Sequence, residues 1–331
     1  DARTLRVLLG EIEEQYVRSF PEVPDVIVLD IDSTDDPTHG QQQLSFLHGY
    51  YDQHMYHPLV IFDGERGQLV SVVLRPGNAH AARGAMGVLR RIIQRLKQRF
   101  PYVQIVVRGD SAFAVPRVLR MLEELNRELG SIAYVVGLAQ NAVLLRSGAV
   151  ALNEARRRFQ ATKQTVQHFD AFAYAAESWP QTRHVVMKAE VSEHGANPRF
   201  VVTSLPEFAP ALLYHAYCER GQCENFIKDF KNALQADRLS CSTFAANFFR
   251  LLEHAAAYVL FHALRTQVAP LAPQLGRAQF DTLRLQLLKV AAIVSQSTRR
   301  VLVRLPFAFP LARVFRQLAT TLAGLPVLSS A

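Results

Sequence analysis

Cysteine is scarce in this chain. Its 331 residues include three, Cys218, Cys223 and Cys241. The number is odd, with no CxxC spacing and no paired histidines alongside. That argues against a disulfide framework or a structural zinc site and fits a reducing compartment, so a cytoplasmic location is expected. Long apolar runs are missing too. No stretch of about eighteen apolar residues occurs, so no membrane-spanning helix is expected, and no signal peptide is recognisable. There is no internal repeat and no low-complexity tract. Acidic residues are outnumbered, 29 against 37 lysines and arginines, which leaves a net charge of +8. That excess favours an acidic partner, nucleic acid before a membrane surface, over a merely solvated basic face. Apolar residues make up 49% of the chain, which excludes wholesale disorder and supplies a substantial core.

What is present is an alternation of strand and helix signals. Residues 4–19 carry apolar side chains at helical spacing, closed by Pro21 and Pro24. Val26–Asp32 is a β-branched strand, and strands are expected over Leu44–Tyr50, Pro58–Phe62 and the QLVSVVLRPG segment after the DGERG turn. The connecting turns are too short for crossover helices, so these strands are expected to be antiparallel neighbours. An amphipathic helix over His80–Phe100, a strand over Val103–Asp110, a helix over 115–129 and a strand over Ser131–Leu138 follow. Three strands, helix, strand, helix, strand is the element order of a ribonuclease-H-like core, an α/β mixed sheet flanked by helices. Residues 141–205 mix a basic helix with short strands and read as a β-rich insertion. Long helices are expected at about Leu212–Ala236 and Phe244–Thr266, and Pro270 and Pro273 mark a linker to a tail with a strand pair and a last helix. The expected division is 1–24, an N-terminal helix left from a DNA-binding region; 25–140, the first part of the core; 141–205, the insertion; 206–268, the helix that completes the core; and 269–331, the tail.

Three acids stand out. Asp30 and Asp32, two apart on the first strand, share a face. Asp110 ends a later strand, and Glu224 lies on the long helix. Asp32, Asp110 and Glu224 could meet where that helix crosses the sheet. Clustered carboxylates raise one another's pKa unless a cation intervenes, and oxygen ligands suit hard divalent metals. Two such ions activate water or a 3′-hydroxyl and stabilise the leaving oxygen of an in-line displacement at phosphorus. On an ideal helix Tyr217, Arg220, Glu224 and Lys231 fall within about 60° of one face and span about 21 Å. A single small substrate cannot touch both ends of that row, but a phosphate backbone can. Phe226, Phe230 and Leu234 lie opposite, toward the core.

The spacing Y-x2-R-x3-E-x6-K resembles the signature helix of DDE transposases from bacterial insertion sequences. The DSAF run at Asp110–Phe113 is similar to the motif around their second acid. DIDST, HGQQ, RPGNAH and KNALQADRLSC resemble the "thirteen-eighty" group in particular, over nearly the whole chain from about residue 25. The resemblance implies strand cleavage and transfer at transposon ends, with Asp32, Asp110 and Glu224 as the metal-binding triad for two Mg²⁺ or Mn²⁺ ions. It implies that Arg220 and Lys231, with Lys228 on the same helix, hold DNA phosphates and that Tyr217 helps set the scissile region. The implied partners are terminal inverted repeats and target DNA, with a homodimer in the synaptic complex and a nucleoid-associated location in a bacterium.

Competing readings attach to several of these residues. The family pattern favours Asp32 over Asp30 as the ligand. Asp110 read alone is a cap or turn residue, and Arg220 and Lys231 read alone are solvated charges. Trp179, the single tryptophan, is by default a core anchor, with base stacking as the alternative. His48, His54, His57 and Asp52 read as a polar loop. The basic clusters at Arg90–Lys97, Arg156–Arg158 and Arg299/Arg300 read as solvated faces, with at least one expected to track DNA backbone. Asp30-Ile-Asp32-Ser-Thr34 also fits the opening of haloacid-dehalogenase-like phosphatases, with Asp30 as nucleophile and Asp32 as general acid, but that fold requires a parallel sheet built by crossover helices. A catalytically silent DNA-binding derivative of a transposase is the remaining alternative.

Overall fold

The computed structural model describes residues 1–324. Helix α1 (Ala2–Arg18) leads to strand β1 (Val26–Ser33), then to a small sheet of β2 (Asp36–Pro37), β3 (Phe46–His48) and β4 (Gln53–Tyr56). The hairpin β5 (Leu59–Asp63) and β6 (Leu69–Val73), helix α2 (Ala85–Arg99), strand β7 (Gln104–Gly109), helix α3 (Pro116–Leu129) and strand β8 (Ile132–Leu138) complete the first half. Next come α4 (Ala142–Ser147), α5 (Ala149–Thr162), β9 (Val166–Tyr174), β10 (Arg183–Ser192), β11 (Gly195–Ala196) and β12 (Arg199–Thr203). Helices α6 (Pro210–Cys218), α7 (Gly221–Lys228) and α8 (Phe244–Val268) cross the sheet. The short α9 (Pro273–Gly276) and α10 (Phe280–Leu283), the hairpin β13 (Ile293–Gln296) and β14 (Val301–Arg304), and α11 (Ala312–Ala323) form the tail.

The central sheet runs β11-β10-β12-β8-β7-β1-β5-β6, with β9 also paired to β10. Strands β1, β7 and β8 are parallel to one another, while β5 and β6 are antiparallel additions beside β1. This is a ribonuclease-H-like mixed sheet. The phosphatase alternative fails on the same observation: β1 is followed by an antiparallel hairpin, not by a crossover to a parallel neighbour. The stretch read as an insertion extends the sheet, because β12 pairs antiparallel with β8 over Phe200–Thr203.

Alternation sorts the strand residues into two cores. On β1, Ile27, Leu29 and Ile31 pack with Leu59, Ile61 and the buried faces of α2 and α3. On the other face Val60, Phe62, Leu69 and Val72 meet Leu9 and Ile12 of α1, Cys223, Phe230, and Leu251, Leu252 and Tyr258 of α8. Asp30 and Asp32 belong to that second face, under α6 and α7. The expected core positions Phe226, Phe230 and Leu234 all pack there.

The long helix expected over Leu212–Ala236 is not continuous. It breaks after Cys218, where Arg220 N–H bonds Tyr217 O and Cys223 N–H bonds Arg220 O, both three residues back. It widens again into a π-helical turn at Asp229–Ala233. Gly221, a poor helix former, restarts it. The even angular spacing that an ideal helix gives Tyr217 to Lys231 therefore does not hold along the chain.

Candidate active site

The sheet register brings the first two acids together. Ile31 pairs with Gly109 in the parallel β1/β7 ladder, so the next residues, Asp32 and Asp110, leave neighbouring strands side by side. Burial pushes the Asp32 carboxyl up to about 6, with Arg220 pulling it down and the adjacent Asp110 adding to the rise. Asp110 also caps the short turn Ser111–Phe113, accepting the Ala112 N–H at 2.9 Å. It is thus both a cap and a neighbour of Asp32. Asp30 is fully buried and ion-paired to Arg108. Its carboxylate serves the interior, and Asp32 is the acid presented at the strand end.

Arg220, in the tight turn between α6 and α7, donates from Nη1 to Asp32 Oδ2 at 2.9 Å. The Tyr217 ring lies 6.0 Å from the Arg220 guanidinium. Its hydroxyl sits against Gly137 at the end of β8, where an added Cβ would come 2.5 Å from Oη and 3.1 Å from the Ser111 N. Burial raises the Tyr217 phenol, with Asp110 adding to it. Lys231, carried by the π turn, donates to Asp35 Oδ1 at 2.8 Å.

Two expected residues stand apart. Glu224 and Lys228 lie on the outer side of α7, and the residue of that helix buried against the sheet is Cys223. Among the described residues no three His, Cys, Asp or Glu side chains are gathered closely enough to hold a metal ion. The expectation that the helix carries its glutamate onto the two aspartates is not met in this structure. The broken helix turns Arg220 toward Asp32 instead. The donor chemistry of the aspartate pair still fits a hard divalent cation, since both offer oxygens and Asp110 already raises Asp32 by like charge. Trp179 is not available for stacking on a base. It is 8% exposed, edge-on to Tyr174 with centroids 5.4 Å apart and 4.9 Å from the Arg183 guanidinium.

Other residues, to which the sequence pattern assigns no role, join the site. Arg75, at the start of the RPGNAH run, is buried and donates to Ser33 Oγ at 2.8 Å, His57 O at 2.7 Å and Arg83 O at 2.9 Å. Burial pushes it down to about 10. It fixes the loop after β6 beneath the end of β1, next to Asp32. Two other quoted runs dock on each other: Gln42 Nε2 of HGQQ donates to Leu239 O at 2.8 Å, and the Gln43 N–H to Ser242 O at 2.9 Å. Burial raises the Tyr51 phenol, and Asp35, Asp32 and Asp110 nearby add to the rise. A signal for Asp35 is present in the DSTDD run; Tyr51 gives none, because its approach depends on how the small sheet folds over β1.

His48 and His57 stack edge to face at 4.7 Å, and His57 Nδ1 lies 2.8 Å from Ala79 O. These residues belong to the β3/β4 hairpin and its exit, not to a loop, and among the described residues no metal-binding cluster forms there.

The model of the family described as Transposase DDE domain group 1 matches residues 1–327. The chain belongs to this DDE transposase family. A search of curated proteins finds no match. Among solved structures, the chain is similar to the piggyBac transposase in a cryo-EM structure of its synaptic complex with hairpin DNA. There the identity is 11% and the TM-score 0.47, over 98% of this chain and 63% of that one. The chain thus spans less than two thirds of that transposase. A crystal structure of the NurA nuclease from Sulfolobus solfataricus matches at 10% identity and a TM-score of 0.28, over 78% of this chain and 87% of that one. No described helix of this DDE transposase family member is long and apolar enough to cross a membrane.

Proposed function

We propose that this DDE transposase is of the bacterial insertion-sequence type with the Y-R-E-K helix, and that it cleaves and rejoins DNA strands at transposon ends. The observation that carries the reading is the juxtaposition of Asp32 and Asp110 at the ends of two parallel neighbours, with Arg220 of the signature helix on Asp32. Asp32 and Asp110 would hold the divalent ions, and Glu224, which lies on the outer side of α7 in this structure, would join them as third acid only once α7 turns it inward; bound there, two ions would supply the activated water or 3′-hydroxyl and stabilise the leaving oxygen. Arg108 keeps Asp30 out of this set and stiffens the strand beneath it. Arg220 and Lys231 neutralise Asp32 and Asp35 in the free protein and are within the same patch that a DNA phosphate would approach, so they exchange a carboxylate for a phosphate oxygen. Lys228, one turn before Lys231, adds to the phosphate track. Tyr217, wedged over Gly137, fixes the wall of the site beside Asp110. Pairing of two transposon ends calls for two copies of the chain.

The test is nicking of supercoiled plasmid with Mg²⁺ or Mn²⁺. Asp32→Asn, Asp110→Asn and Glu224→Gln should each abolish nicking while DNA binding persists. Full activity in Glu224→Gln would remove the third acid from the proposal. Binding without nicking in the parent chain would instead favour a silent DNA-binding derivative.

A further inference from the structure

The basic clusters of this chain differ in one respect. Arg91 is paired to Glu13, and Arg157 and Arg158 to Glu154, and Lys97 is buried on Val103 O. These charges are already answered inside the fold. From Thr282 onward the sequence has no aspartate or glutamate at all; Arg284 pairs back to Asp281, while Lys289, Arg299, Arg300, Arg304, Arg313 and Arg316 supply further positive charge. The acid-free tail gives them no carboxylate of its own to pair with.

Three of them belong to the hairpin β13/β14. Ser297 N–H bonds Arg300 O at 2.9 Å and closes the tip around Thr298 and Arg299. Arg304 sits opposite Ile293 at the base. Every residue of both strands is exposed. Ile293 and Val301 are 66% and 62% exposed on opposite faces of the ribbon, and Val294 and Val303 pair beside Val301. An isolated two-stranded hairpin is marginal in water, and exposed aliphatic residues on both faces point to a partner outside the chain. Charge selects a polyanion. Shape selects duplex DNA, since its major groove admits a two-stranded β-ribbon, whereas the major groove of A-form RNA is too narrow to be read by side chains.

We propose that the hairpin Ile293–Arg304 is a β-ribbon that enters the major groove of DNA, with Arg299, Arg300 and Arg304 on flanking phosphates and the aliphatic faces against the groove walls. The proposal rests on the transposase reading for its choice of DNA as the polymer. It adds a second DNA-binding element, on the tail rather than on the signature helix.

The experiment uses the full chain and a labelled duplex of arbitrary sequence, about three helical turns long. Affinity is measured by fluorescence anisotropy across a series of KCl concentrations. Arg299→Ala/Arg300→Ala/Arg304→Ala should flatten the plot of log affinity against log salt by roughly 2 to 3, about one unit for each phosphate no longer neutralised. Affinity at about physiological salt should fall at least roughly tenfold, with an unchanged circular dichroism spectrum and melting temperature. The triple Arg→Lys variant should keep the parent slope. The parent should protect guanine N7, a major-groove atom, from dimethyl sulfate, and the alanine variant should lose that protection. An unchanged slope and footprint in the alanine variant overturns the ribbon proposal. So does tighter binding of the parent to a duplex RNA of the same length. A change of mass by light scattering without DNA, together with an unchanged slope, also overturns it and assigns the hairpin to self-association. Plasmid nicking by the parent, with Asp32→Asn as control, reports separately on the active-site reading. A parent chain that nicks but shows no hairpin dependence leaves that reading standing and removes only this one.

Discussion

Arg108 holds Asp30 with two hydrogen bonds, Nε to Oδ1 at 2.6 Å and Nη2 to Oδ2 at 2.8 Å, while its Nη1 donates to Ala216 O of α6 at 2.7 Å. Both side chains are almost fully buried. Gly64 is part of this arrangement: an added Cβ would come 2.6 Å from Asp30 Oδ2. One ion pair thus fastens strand, neighbouring strand and overlying helix together, and separates the two aspartates of β1 by role.

Asp30→Asn is therefore expected to unfold the chain more readily, since removing one partner of a buried pair costs about 3 to 5 kcal/mol. Asp32→Asn should change stability little and abolish nicking. Chemical denaturation of both variants beside the nicking assay separates the roles. A stable Asp30→Asn protein without activity would reverse the assignment.

Gly137→Ala should push on Tyr217 foremost and also crowd the Ser111 backbone N–H, beside Asp110. The added methyl meets the Tyr217 hydroxyl first, so nicking should drop while the melting temperature shifts only slightly. Tyr217→Ala should lower nicking as well, and the double variant should be no worse than Tyr217→Ala alone, because neighbouring residues couple non-additively. Additive losses would mean that the two positions act independently.

Asp36 gives a pH dependence. It is 1% exposed, and neither carboxylate oxygen has a hydrogen-bond partner. Burial pushes it up to about 8, with Asp237 and Asp35 adding to the rise and Lys231 opposing it. An aspartate in the unfolded chain titrates at about pH 3.9. Between these values the folded chain binds the extra proton, so Asp36 favours the folded state most fully at low pH, and this contribution is lost as pH rises through about 8. The melting temperature of Asp36→Asn relative to the parent should therefore rise from about pH 5 to above about pH 8. Parallel curves for the two proteins would show that Asp36 is ionised in the fold.

Trp179→Phe should weaken the fold by about 1 to 3 kcal/mol, the usual range for a repacked interior side chain, and leave DNA affinity unaltered. Anisotropy titration alongside thermal melting checks this. A loss of DNA affinity at unchanged stability would restore a stacking role.

Much of the fold is legible in the sequence because strand alternation and turn chemistry are local. Val26–Asp32, Val103–Asp110 and Ser131–Leu138 are each expected as strands and are found within a residue or two. Asp32 and Asp110 are legible for a related reason: both end strands, and parallel neighbours align their ends. Glu224 is not placed by its spacing, because equal angular steps presume one helical pitch, and Gly221 and the turn at Asp229–Ala233 change it. The Arg108–Asp30 pair is hidden, since an arginine near the end of an expected strand names no partner until the register puts it opposite a buried acid. Arg75 is hidden likewise. Its partners are carbonyls of distant segments, which leave no trace in composition.

The π turn makes the six-residue interval between Glu224 and Lys231 a measure of geometry only in this particular winding. One residue deleted there would let an ordinary α-helix form in place of the wider turn. The hydrophobic residues beyond the turn would then keep nearly the same facing, yet the ammonium of Lys231 would be withdrawn from Asp35. A homologue with one intervening residue fewer would thus share the fold and the whole motif alphabet while presenting its lysine elsewhere, so the count of residues between the two letters reports on pitch as much as on kinship.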